Sequence, residues 1–205
     1  MARTVVMTRA AAGMLAAGLF AAGCSDGEPD PDTAEPATSA PASSPSSPMP
    51  TGPEPTPWPE PTRPVAMERD DIQGAKAAAE YFLSLYPYVY VTGDVEPWRE
   101  MSHPECQFCA GVVENVEGLH SDGGFADGPA IEFVNGSAQA PTDNYPYFSV
   151  RIEALEHASS RYDGGGDLVA SQPGGTIDAE MAMEHADGGW RVRGAVVTPR
   201  GEGGA

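Results

Sequence analysis

The chain has 205 residues, with 30 acidic against 11 basic side chains, a formal net charge of −19 and 21 prolines. A surface this acidic repels the phosphate backbones that clustered Lys and Arg hold, which excludes nucleic acid as a partner. Half of the prolines or more fall in one stretch, so the chain is not folded along its whole length.

Arg3 and Arg9 form a positive start, and Ala10 to Ala22 an apolar run. That run is shorter than the roughly 20 residues needed to cross a bilayer, and reads as a secretory signal. It closes on Ala21-Ala22-Gly23-Cys24. Small residues followed at once by cysteine resemble the bacterial lipobox, in which the chain is cut before the cysteine and its thiol acylated. Here the cut falls between Gly23 and Cys24, Cys24 carries the lipid with palmitate-type chains, and Ala21 stands where a lipobox usually has Leu. The competing reading is an ordinary secretory signal in which Cys24 is incidental. A single acyl chain binds membranes marginally, so stable anchoring calls for two or three. Residues 1–23 are thus a signal peptide, and its loss removes Arg3 and Arg9 and takes the net charge from −19 to −21.

Residues 24–64 hold 13 of the 21 prolines, seven acidic residues and Trp58 as their one aromatic. Such a segment buries too little apolar surface to offset its ordering entropy. It reads as a disordered, lipid-anchored tether in which proline favours an extended conformation. At ~3.1 Å per residue it reaches on the order of 120 Å when stretched. Residues 65–200 are expected to form one globular domain, followed by a flexible tail at 201–205.

Within the domain, Asp70 and Asp71 are capping candidates for a helix from Ile72 to about Val91, with Ala75, Ala78, Ala79, Phe82, Leu83 and Tyr86 at helical spacing. Pro87 is expected to kink or shorten it. Gly93 suits a helix stop, and Asp94 caps a short second helix with Val95, Trp98 and Met101. Ser102 and Glu105 have capping-box spacing for a third helix, whose stripe is Cys106, Cys109, Val113, Val116 and His120 and which Gly123-Gly124 ends.

The period then changes to two. Ile131 and Phe133 begin a strand, Phe148, Val150 and Ile152 a second, and Ile177, Ala179, Met181 and Met183 a third. Trp190, Val192, Gly194 and Val196 form the fourth, after an Asp187-Gly188-Gly189 hairpin turn. A long loop, marked by Gly164 to Gly166 and Pro173 to Gly175, separates the second and third strands. The class is α+β: three N-terminal helices packed on a curved antiparallel sheet of about four strands.

Helices first, then a meander closing on Gly189-Trp190-Arg191-Val192, resemble the nuclear transport factor 2-like (SnoaL-like) cone. Tyr81 to Tyr90, Thr92-Gly93-Asp94 and Ser102-His103-Pro104-Glu105-Cys106-Gln107-Phe108-Cys109 further resemble an actinobacterial lipoprotein family known as a domain of unknown function, number 6318. The resemblance covers Met67 to Val197, and Thr-Gly-Asp with Cys-x-x-Cys is its specific part. It implies a fold and an export route, and no reaction. One lysine against ten arginines, with abundant Ala and Gly, suits the GC-rich coding of such a source.

Cys106 and Cys109, three residues apart at a helix start, have Cα atoms ~5 Å apart on one face, within disulfide range, and outside the cytoplasm such a pair oxidises. It is read as a structural staple. The alternative is a thiol-redox pair activated by the helix N-terminus, although no strand of a thioredoxin-like unit precedes it. A zinc site with His103 and His120 is set aside, since four ligands along one helix do not surround a tetrahedral ion. No cofactor or metal is expected.

The resemblance to the cone implies a pocket between sheet and helices, in which some relatives use a carboxylate and a tyrosine. Tyr86, Tyr90, Asp94 and Trp98 are the candidates for its mouth. Against that, the tyrosines suit core packing and Asp94 suits a helix cap. His157 and His185 near strand ends are expected to face solvent, and Asn135-Gly136-Ser137 to be a turn. No nucleophile–base pair follows from spacing, so no catalytic residue is assigned. The leading expectation is a binding or interaction module on the outer face of the cytoplasmic membrane, with an envelope protein or small ligand as partner and a homodimer left open. The alternatives are a SnoaL-like isomerase, cyclase or hydratase acting on a small apolar substrate, and a thiol-redox protein.

Overall fold

The computed structural model describes residues 57–200. The expected signal, Cys24, most of the expected tether and the expected tail at 201–205 lie outside the described residues. After one 3-10 turn at Val65–Glu68 come α1 (Ile72–Thr92), α2 (Glu96–Met101) and α3 (Gln107–His120). The strands are β1 (Phe125–Asp127), β2 (Ile131–Gln139), β3 (Phe148–Glu156), β4 (Ser159–Tyr162), β5 (Leu168–Gln172), β6 (Gly175–Ala186) and β7 (Gly189–Pro199). The class is α+β, as expected. Among the described residues no helix is long and apolar enough to cross a membrane.

Asp71 starts α1: its Oδ1 accepts the backbone N–H groups of Gln73 at 2.9 Å and Gly74 at 3.0 Å, meeting two of the donors a helix start leaves unpaired. The helix does not end at Pro87 but runs through it to Thr92. Proline inside a helix costs about 3 kcal/mol. Here Leu85, Tyr88, Val89, Tyr90 and Val91 around it are all buried, and their packing outweighs that cost. Gly93, in the left-handed region at φ 76°, ends α1, and any side chain there would strike the His120 ring.

α1 is apolar on nearly every side, so its outer face needs a cover. Part of the expected tether supplies it. Trp58 packs against the core, the Tyr81 hydroxyl donates to Glu60 at 3.4 Å, and the Arg63 guanidinium lies 5.3 Å from the Tyr81 ring centre while pairing with Glu100. Residues from Trp58 on, ahead of Val65, thus pack on the helical layer. The capping box expected at Ser102 and Glu105 does not form. Ser102 instead closes α2, its hydroxyl donating to the Trp98 carbonyl, and Cys106 caps α3.

The four expected strands form one antiparallel sheet in the order β2-β3-β6-β7. The stretch expected as a long loop contains a hairpin, and β1, β4 and β5 make a second, three-stranded sheet in the order β1-β4-β5. The two are continuous in course. β1 with β2, β3 with β4 and β5 with β6 are each separated by two or three residues, and all three chains turn together at 128–130, 157–158 and 173–174. Glycine permits this bend. Gly128 sits at φ 83°, where a Cβ would come within 2.8 Å of the Ala158 carbonyl oxygen, and a Cβ on Gly174 would meet the Ala158 nitrogen and Glu156 oxygen at the same distance.

Alternation holds through β3 and β6, where Val150, Ile152, Ala154, Ile177, Ala179, Met181 and Met183 point inward. It breaks in β7. Ala182 pairs with Gly194 but Met183 with Val192, so Arg193 is an extra residue and the faces exchange. Ala195 and Val197 then pack on the core, and Val196, expected inside, is 63 % exposed. A similar shift at Phe133 to Asn135 in β2 leaves Phe133 and Val134 exposed. The Asp187-Gly188 turn is as expected: both residues have positive φ, which matches the twist of the strands it joins.

The concave face of the four-stranded sheet is filled. Met181 and Trp190 are each 3 % exposed, and Phe148 meets Trp190 edge-on at 5.1 Å. The outer face is polar, with Arg151 paired to Glu180 and Arg200 to both Asp178 and Glu153.

Candidate functional site

Where the sheet bends, the core gives way to a cleft of about 150 Å³. Leu83 and Tyr86 of α1 and Phe108 of α3 form one wall; Ile131, Ile177 and Val197 form the other. Two polar side chains enter it, Glu156 from the end of β3 and Gln172 from the end of β5. Burial pushes the Glu156 carboxyl above its usual range, and the charge of Arg161 partly counters that. Burial, with Tyr90 as the next cause, raises the Tyr86 hydroxyl well above the usual phenol value. The Arg161 guanidinium itself lies 4.4 Å from the Tyr90 ring centre.

Of the four residues expected at a pocket mouth, the structure brings three rings together, Tyr86 lying between Tyr90 and, at 6.3 Å, Trp98. Tyr86 and Tyr90 have ring centres 4.8 Å apart, and Tyr86 lines the cleft. Trp98 is core: it is fully buried, stacks on Phe82 at 3.9 Å and donates its indole N–H to the Cys109 carbonyl at 3.1 Å. Asp94 is turned away. Its carboxylate accepts the Tyr88 hydroxyl at 2.7 Å and the Glu96 backbone N–H at 3.1 Å, capping α2 from two positions before its first residue. Tyr88 lies two residues from both Tyr86 and Tyr90, about 200° around the helix, so Asp94 is held on the opposite side of α1 from the cleft. Burial, then the bond to Asp94, pushes the Tyr88 hydroxyl up to about 12.

The acid of the cleft is therefore Glu156, which motif spacing alone does not single out. A signal for it exists. Val150, Ile152 and Ala154 face inward on β3, and Glu156 has the same parity. A charged residue at an inward position marks either a strand end or a site.

Cys106 and Cys109 are joined by a disulfide, with Cα atoms 5.2 Å apart and each residue 1 % exposed. The Cys109 backbone N–H donates to Cys106 Sγ, so the bridge fixes the first turn of α3. His103 and His120 lie apart from one another. His103 contacts Arg193, whose guanidinium also pairs with Glu105 at 2.6 Å, while His120 meets the Tyr90 carbonyl at 3.0 Å. Among the described residues no three His, Cys, Asp or Glu are grouped to hold a metal. His157 faces outward beside Glu132 at 2.8 Å. His185 corrects the expectation of exposure: its side chain is 17 % exposed, packed 4.9 Å from the Trp190 ring and 3.5 Å from Asp70. Asn135-Gly136-Ser137 is strand, not turn.

Residues 50–196 match the profile of a family of unknown function, DUF6318. The chain belongs to that family. No curated protein matches its sequence significantly. Among solved structures, the chain is similar to the intermembrane space region of the chloroplast protein ARC6, with 12 % identity over 64 % of this chain and 99 % of that one, at a TM-score of 0.49. An uncharacterised protein with a cystatin-like fold from Caulobacter vibrioides is similar at 14 % identity, covering 61 % and 89 %, with a TM-score of 0.42. Aln2 from a Streptomyces species is similar at 12 % identity, covering 60 % and 88 %, with a TM-score of 0.39.

Proposed function

We propose that this DUF6318 protein is a lipoprotein held on the outer face of the cytoplasmic membrane through Cys24, and that its folded part, a nuclear transport factor 2-like cone, is a binding module. The observation that carries the binding reading is the apolar cleft left open at the sheet bend, with Glu156 in its lining. Met181, Trp190 and Phe148 occupy the concave face where a large substrate cavity would sit, which leaves a small cleft beside them at Glu156. Export and anchoring are supported by the Ala21-Ala22-Gly23-Cys24 sequence and by a disulfide pair suited to an oxidising compartment.

The test is fractionation of cells expressing the full chain and its Cys24→Ser variant. The native chain is expected in the membrane fraction, with acyl chains on an N-terminal Cys24 by mass spectrometry, and the variant in the soluble or secreted fraction. Equal distribution of both, or an unmodified Cys24, overturns the anchor.

One observation favours a second reading, an enzyme of the SnoaL-like type: a carboxyl with raised pKa stands in an apolar cleft beside a tyrosine. The acid in that reading is Glu156 and not Asp94. Turnover of a small apolar carbonyl compound that is abolished by Glu156→Gln and untouched by Asp94→Asn would establish it.

A further inference from the structure

We infer that the cleft at the sheet bend takes a small organic cation, an apolar body of about one ring carrying a single ammonium group. This rests on the reading of the domain as a binding module and names the ligand class of its cleft.

Size comes first. A cleft of about 150 Å³ has the volume of cavities that accept benzene. Walls of Leu83, Phe108, Ile131 and Ile177 favour an apolar body over a hydrated one.

The polar end is set by what the cleft lacks. Glu156 is half-buried there, yet its carboxylate has no hydrogen bond and no ion pair with any side chain among the described residues. Arg161 acts on it only as a charge at a distance, its guanidinium being placed over the Tyr90 ring. A carboxylate drawn out of water without a donor calls for one, and the most stabilising donor is a cation. No Lys or Arg lines the cleft, so that cation comes from outside. Gln172 and Tyr86 line the same cleft, and tyrosine faces suit an ammonium group. The chain's net charge of −19 raises the local concentration of cations and opposes anions.

Benzylamine, benzyl alcohol and benzoate share one ring and differ in the charge of the head. Each is to be titrated into the full-length protein at pH 7 and low salt, by calorimetry and by amide chemical shifts. Benzylamine is expected to bind, shifting amides near Ile131, Ile177 and Glu156, with benzyl alcohol and benzoate at least about tenfold weaker, the effect of losing a charge-assisted hydrogen bond. Glu156→Gln keeps the shape of the side chain and is expected to bring benzylamine down to the level of benzyl alcohol. Equal binding of amine and alcohol, indifference to Glu156→Gln, or shifts that map elsewhere overturns the ammonium class, and so does an absence of binding by all three probes. None of these results bears on the anchor, which Cys24 fractionation decides separately. Binding of benzyl alcohol alone at the cleft keeps the module and overturns only its ligand class.

Discussion

The two parts of the bent sheet are built on different terms. In the four-stranded part the inner face is covered by α1 and closed by large side chains; Ile152, Met183 and Val192 are 1 % exposed or less. In the three-stranded part β5 is exposed along its whole length, with Leu168 at 59 % and Val169 at 57 %, while Phe125 of β1 stacks on Tyr162 of β4 at 5.1 Å. The first part makes the domain stable, and the second shapes its edge. The cleft lies at the junction because there the strands leave the helices while Tyr86 and Phe108 still face them. Burial there is enough to desolvate Glu156 and not enough to exclude a ligand.

The largest break in this contrast is expected at Trp98. Stacked on Phe82 and bonded to the Cys109 carbonyl, it joins α1, α2 and the disulfide turn. Trp98→Ala leaves a void and removes one hydrogen bond to the Cys109 carbonyl, and is expected to cost about 4 kcal/mol in urea denaturation. A loss under about 1 kcal/mol would show that the helices are not the seat of stability.

The bend comes next. Gly174→Ala drives a methyl against backbone atoms of Glu156 and Ala158, and is expected to cost about 2 kcal/mol as an overpacked site. Gly175→Ala next to it meets nothing within 4 Å, and its cost is expected to stay within about 0.5 kcal/mol. Equal costs for the two would mean that close packing does not fix the bend.

The contrast also explains which features are legible in the sequence. The four strands with a covered inner face have hydrophobic alternation, and all four can be located from it. β4 and β5 bury little on either face, so Ser159-Ser160-Arg161-Tyr162 and Leu168-Val169-Ala170-Ser171-Gln172 have no period to read, and glycines around them suggest a loop. The bulge at Arg193 defeats the reading of Val196 for a related reason: one inserted residue exchanges the faces without altering composition. Trp58 is misplaced because a proline-rich composition implies disorder, whereas its burial depends on the uncovered side of α1, a tertiary fact. At the site, Tyr86 and Tyr90 are legible from helical spacing. Asp94 belongs to it on spacing alone, and the αL turn at Gly93 sends it to the other side of the helix.

Asp71 offers a smaller, pH-dependent test at the start of the well-packed part. The Gly74 N–H foremost, then the Arg69 side chain, holds its carboxyl below the usual carboxylate value. A carboxyl lowered by folding adds stability that is complete above its unfolded pKa and is lost as pH falls through the folded value. Asp71→Asn preserves an oxygen for the cap and removes the titration. The variant is expected to lose less stability than the native chain between about pH 5 and pH 2, the range where carboxylates titrate. Parallel pH profiles would remove Asp71 from the acid limb.

The smallest expected effect is the one that most sharpens the comparison. Leu168→Ser removes an apolar side chain that is already 59 % exposed, so global stability is expected to change by no more than about 0.5 kcal/mol. Hydrogen exchange then separates the two parts. Amides paired between β3 and β6 are expected to exchange only through global unfolding, and those paired between β4 and β5 through local opening that Leu168→Ser accelerates. A ligand held at Glu156 and Gln172 bridges β3 and β5 at the bend, so benzylamine is expected to slow the β4–β5 amides and leave β3–β6 unchanged. If both sets of amides exchanged together, the sheet would be one cooperative unit, and the cleft would have to be read as a gap in a rigid core rather than as the hinge of a looser edge.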